Sequence, residues 1–79
     1  MPIKSFIAHP LADRKSDLIS ALESIKECEV IPSTNKDVVV IVTETQDKQS
    51  DIELIDKLNN LESIQMLSMV SGFDNKVQN

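Results

Sequence analysis

Shifted against itself by 36 residues, the chain echoes its own hydropathy. Leu18 falls on Leu54, Ile19 on Ile55, Leu22 on Leu58, Ile25 on Leu61, Cys28 on Ile64, Val30 on Met66 and Ile31 on Leu67. Upstream of these, Ile3 falls on Val39 and Phe6 on Val42. Each half therefore reads as the same unit. A short apolar run comes first, Ile3 to His9 and Val38 to Thr43. A helical pattern follows, with Leu11, Leu18, Leu22 and Ile25 on one face in the first half and Ile52, Ile55 and Leu58, joined by Leu54 and Leu61, in the second. A second apolar run closes each half, Cys28 to Ile31 and Ile64 to Val70. Ser50 and Glu53 have the spacing of a capping box at the start of the second helix. "PSTNKD", residues 32–37, is the turn-rich join between the halves.

This spacing predicts β1 at about 3–9, α1 at 11–26, β2 at 28–32, β3 at 37–45, α2 at 48–61 and β4 at 63–71. The order βαββαβ is the split βαβ pattern of the ferredoxin-like α+β class. Right-handed crossovers put both helices on one face of a four-stranded antiparallel sheet in the order β4-β1-β3-β2. The whole chain, 1–79, reads as one such domain, with a frayed tail at 74–79.

"VVVIV", residues 38–42, then raises a difficulty. An antiparallel strand with one wet face alternates apolar and polar residues, and this one does not. The helices cover one face, and the tail "DNKVQN" is too short and too polar to cover the other. Carrying the alternation from Phe6 to Val42 assigns Phe6, Ala8, Val30, Val40, Val42, Ile64, Met66 and Val70 to the helix side. Ser5, Ile7, His9, Glu29, Ile31, Val39, Ile41, Thr43, Gln65, Leu67 and Met69 then line the open side. Six of these are large and apolar, together several hundred Å², the size at which a surface patch marks an interaction site. A one-residue slip would exchange the two sets.

Composition narrows the chemistry. The net charge is −5, and the eight Lys and Arg residues are scattered, so nucleic acid is not an expected partner. One Cys, one His and one Gly cannot supply a disulfide, a metal-ligand cluster or a phosphate-binding loop. No nucleophile–base pair is evident between Cys28 and His9, so neither catalysis nor a cofactor is expected. His9 reads as a strand-end residue or as a hydrogen-bonding group on the sheet. Met69 suits an adaptable binding surface. "MPIKSFIAHP" lacks a basic segment followed by a long apolar one, and no apolar run approaches membrane-spanning length. A cytoplasmic location without membrane insertion is expected.

"SFIAHPLADR", residues 5–14, with its strand, His9-Pro10 and Asp13-Arg14, resembles the start of the NapD family. Glu29-Val30, "VVVIV", "IELIDKLNNL" and the closing apolar run fall where that family has equivalents, so the likeness covers about residues 3–71. The family's Leu-Pro-Gly turns are replaced by "IKE" and "LES", and its final Tyr-His by Ser71-Gly72. The resemblance implies a ferredoxin-like cytoplasmic chaperone that binds the twin-arginine signal peptide of the periplasmic nitrate reductase catalytic subunit and delays export until its cofactors are installed. It implies a peptide site on the open face drawn from Ile7, His9, Glu29, Ile31, Val39, Ile41, Leu67 and Met69. There the peptide's apolar side would lie on Ile7, Ile41, Leu67 and Met69, and Glu29 would meet an arginine. Two rivals share the βαββαβ order: an ACT-like domain regulated by a small ligand, and a homodimer packed through the open sheet face. An ACT-like domain favours a glycine-bearing turn after β1, where this chain has "HPLAD".

Overall fold

The computed structural model of the chain describes residues 2–31 and 37–73. Its elements are β1 Ile3–Pro10, α1 Lys15–Glu23, β2 Cys28–Ile31, β3 Val39–Glu44, α2 Lys48–Asn59 and β4 Ile64–Phe73. The strands form one antiparallel sheet in the order β2-β3-β1-β4, the expected order read from the other edge. Of the turn expected at 32–37, residues 32–36 lie outside the described residues, as does the frayed tail expected at 74–79.

Helix α1 is shorter than its periodicity predicts. Asp13 has φ 63°, a left-handed conformation that a helix cannot contain. Just before it, the Leu11 N–H donates to the Ser63 carbonyl at 2.9 Å, tying the end of β1 to the entry of β4. The helix starts only at Lys15, so Leu11 sits outside it and is exposed. At α2 the cap differs from the expected capping box. Asp47 is the N-cap, and its Oδ1 accepts the Ser50 N–H at 2.8 Å. Hydrogen bonds from Ser50, its backbone N–H foremost, hold the Asp47 carboxyl below the usual carboxylate range.

The helices pack where the 36-residue echo places them. Leu18 and Leu22 of α1 meet Leu54 and Leu58 of α2 in one core with Ile25, Phe6, Ala8, Val39, Ile41 and Ile64. Leu18, Leu22, Ile41 and Leu58 are fully buried, each a contribution of about 1.5–3 kcal/mol from apolar burial alone.

The strands do not follow that echo. Phe6 pairs with Ile41 and Ala8 with Val39, so these four share the helix side. Val40 and Val42 point the other way. The halves repeat at 36 residues in the helices and at 35 between β1 and β3, and a shift of one residue exchanges the faces of a whole strand. Val39 and Ile41, expected on the open face, are therefore core residues with 2% and 0% exposure.

Strand β4 departs for a second reason. Pro10 pairs with Ile64 and His9 with Met66, leaving Gln65 as an extra residue; Phe6 pairs with Met69 and Ser5 with Ser71, leaving Val70 as another. Each bulge reverses the alternation. Ile64 and Leu67 consequently share the helix side although three residues apart, and Met66 turns to the open side.

The helix side also holds a polar group. Lys4, opposite Thr43, reaches α2 and forms an ion pair with Asp51, which is 3% exposed. The hydroxyls of Thr43 and Thr45 and the second Asp51 oxygen are buried without a hydrogen-bond partner among the described residues. Asp51 stands in the first turn of α2, where a carboxylate also favours the helix dipole.

Candidate binding face

The sheet face away from the helices is organised in cross-strand rows. Ile31, Val40, Ile7 and Ser68 form one row. Glu29, Val42 and Ser5 form the next. Glu44 and Ile3 pair beyond it, and the Glu44 N–H donates to the Glu27 carbonyl at 3.0 Å. At the opposite end His9 pairs with Met66, which is 51% exposed. An apolar band of Ile31, Val40, Val42 and Ile7 thus crosses three strands with no helix over it, flanked by glutamates at one end and by His9 and Met66 at the other.

Of the eight residues expected to form the peptide site, four are on this face: Ile7, His9, Glu29 and Ile31. The other four are not. Val39 and Ile41 are in the core. Leu67 pairs with Ala8 and packs against the core from the side of the helices. Met69 pairs with Phe6 and so shares the helix side, yet it is 59% exposed because β4 is an edge strand. Val40, Val42, Glu44 and Met66 take their places. The signal that locates Val42 is its partner Glu29: a glutamate flanked by Cys28 and Val30 on a short strand belongs on the wet face, and its partner with it.

The sheet separates Cys28 from His9. Cys28 packs against the core from the helix side, whereas His9 is on the open side and two strands away. Burial, reinforced by Glu27 and opposed by Lys57, raises the Cys28 thiol to about 11. A thiol that stays protonated at neutral pH is a poor nucleophile. Among the described residues no group of three or more His, Cys, Asp and Glu side chains could hold a metal ion, and no helix is long and apolar enough to cross a membrane. The raised thiol also has a stability consequence. Its folded value lies above its ordinary 9.0, so its contribution is complete below pH 9 and is lost as pH rises toward about 11. At pH 8, iodoacetamide is expected to alkylate Cys28 about a hundredfold more slowly in the native protein than in urea, from the thiolate fraction alone. Equal rates would show that the thiol is not shielded.

An antiparallel sheet backed by two helices on one face, with no helix over the other, is the ferredoxin-like α+β architecture. The sequence matches the NapD protein family over residues 1–72, and the chain belongs to that family. The fold is similar to that of a solved structure described as the solution structure of the E. coli Tat proofreading chaperone protein NapD. The two are 23% identical, and the match covers 98% of this chain and 82% of that one with a TM-score of 0.78. No curated protein matches the sequence significantly.

Proposed function

We propose that this protein is a cytoplasmic, non-enzymatic proofreading chaperone. It binds the twin-arginine signal peptide of the periplasmic nitrate reductase catalytic subunit and holds back export until that subunit's cofactors are inserted. Membership of the NapD family supports the reading, as does a fold shared with an E. coli protein described as a Tat proofreading chaperone. The observation that carries it is the bare apolar band of Ile7, Ile31, Val40 and Val42. A twin-arginine signal combines a basic segment with an apolar one. As an amphipathic helix it would lay its apolar side on that band, and its positive charge suits a chain of net charge −5.

The test is calorimetric titration of a synthetic twin-arginine signal peptide. Val42→Glu and Ile7→Glu are expected to keep the fold and to weaken binding by about 10–100-fold, the loss of one large apolar contact. Cys28→Ala is expected to bind as wild type does. Unaltered affinity in both glutamate variants would sink the open-face reading. If the band instead holds a second copy of the chain, light scattering will find a dimer that both variants dissociate.

A further inference from the structure

One end of the helix side is polar where the rest of that side is apolar core. Lys4 and Thr43 stand opposite each other in the pairing of β1 with β3. Thr45 follows two residues on, and its N–H donates to the Pro2 carbonyl at 3.1 Å, which carries the pairing past Ile3 and Glu44. Asp51, in the first turn of α2, meets this end of the sheet through its ion pair with Lys4. Thr43, Thr45 and Asp51 are 1%, 4% and 3% exposed. The ion pair uses Asp51 Oδ2. Asp51 Oδ1 and both threonine hydroxyls are buried with no hydrogen-bond partner among the described residues. Buried polar atoms are nearly always paired, and an unpaired one is costly. Three at one end of one face point to a shared partner.

We infer that a single water molecule is bound beneath the first turn of α2, bridging Thr43 Oγ1, Thr45 Oγ1 and Asp51 Oδ1. The count of donors and acceptors selects it. Each hydroxyl needs an acceptor for its proton, and the carboxylate oxygen needs a donor. One water accepts from both hydroxyls and donates to Oδ1, and three bonds are what a buried water usually makes. Charge argues against a monovalent cation in its place. Lys4 already balances Asp51, so a cation would leave a net positive charge in a buried site.

Thr45 also lines a depression shared with Gln46, Ser50 and Glu53, which gives the water a route to solvent. The site is on the opposite side of the sheet from the apolar band and does not depend on what that band binds. Its role is to seat the start of α2. The water joins β3 to the helix one turn before Leu54, the first residue of α2 in the core.

Thr43→Val and Thr45→Val test the site, since valine keeps the shape of threonine and removes the hydroxyl. Each variant is expected to lose one hydrogen bond and to melt about 4–8 °C lower. A hydroxyl without a partner gives the opposite result, because valine leaves no polar group to bury. A rise in Tm in either variant therefore overturns the site. Oxygen-17 relaxation dispersion of the solvent reads the water directly, by counting molecules held for longer than the protein takes to tumble. Its amplitude is expected to be lower by one water molecule in the double variant than in the wild type. Equal amplitudes overturn the site even where Tm falls, since the hydroxyls then bond to protein groups directly. A wild-type Tm that differs between potassium and choline chloride at one ionic strength, with the difference lost in the double variant, makes the occupant a cation and overturns it as well.

Discussion

Ile41→Glu is expected to yield no folded protein, whereas Val42→Glu, one residue on, is expected to fold. Ile41 is 0% exposed and lies between Phe6 and Val30, with the helices above it. Truncation of such a side chain alone costs about 2–5 kcal/mol, and an unpaired carboxylate in its place adds several more. A domain of this length has roughly 4–12 kcal/mol in total at the usual stability per residue. The variant therefore loses most or all of its stability. Val42 faces the other way, half-buried beside Glu29 and Ser5, where a carboxylate reaches water. Far-ultraviolet circular dichroism and a thermal melt decide the matter. A cooperative melt for Ile41→Glu, with Val42→Glu unfolded, would mean that the faces of β3 are the reverse of those described.

The ion pair between Lys4 and Asp51 sets the second expectation. Its side chains are 25% and 4% exposed. Breaking a buried pair by removing one partner leaves the other charge uncompensated and costs about 3–5 kcal/mol. Because Lys4 keeps some access to water, Asp51→Ala is expected to cost about 2–3 kcal/mol, a fall in Tm of roughly 10–20 °C. Joint replacement by Lys4→Met and Asp51→Leu is expected to recover most of the loss, since an apolar pair of similar volume avoids desolvating two charges. If the double variant melts no higher than Asp51→Ala, the cost belongs to the first turn of α2 rather than to the stranded lysine.

These expectations follow from side-chain placement that was legible in the helices and not in the strands. Leu18, Leu22 and Ile25, with Leu54, Leu58 and Leu61, recur at helical spacing, and their neighbours Ser20, Glu23, Glu53, Asp56 and Lys57 are polar and exposed. The contrast between faces fixes each helix. Strand β3 offers no such contrast, because Val38 to Val42 are apolar on both sides. The polar residues that should mark the wet face mislead instead. Lys4 and Thr43 both lie on the helix side, one paired there with Asp51 and the other fully buried between Lys4 and Cys28. In β4 no hydropathy pattern announces the extra residues Gln65 and Val70, which arise from pairing with β1. Element order and sheet topology need only the position of each segment, so they come through. The identity of half the candidate face depends on register, so it does not.

The two bulges of β4 have a further consequence, for what happens when many copies meet. This strand is ten residues long, its outer side is unpaired, and Met66, Met69 and Val70 are more than half exposed. A flat edge of that length and character is a template on which a foreign strand can add. Stacked fibrils need uninterrupted segments of about six or seven residues. Between Gln65 and Val70 only Met66 to Met69 keep regular pairing, four residues in all. The kinks shorten the straight run below what a stacking neighbour requires. A protein with one sheet face uncovered by helices can in this way keep its other apolar border from recruiting its own kind. Deleting Gln65 and Val70 together would leave the eight remaining residues of β4 in one unbroken register with β1, and the expected first sign is a lag followed by thioflavin-positive growth that the natural sequence does not show.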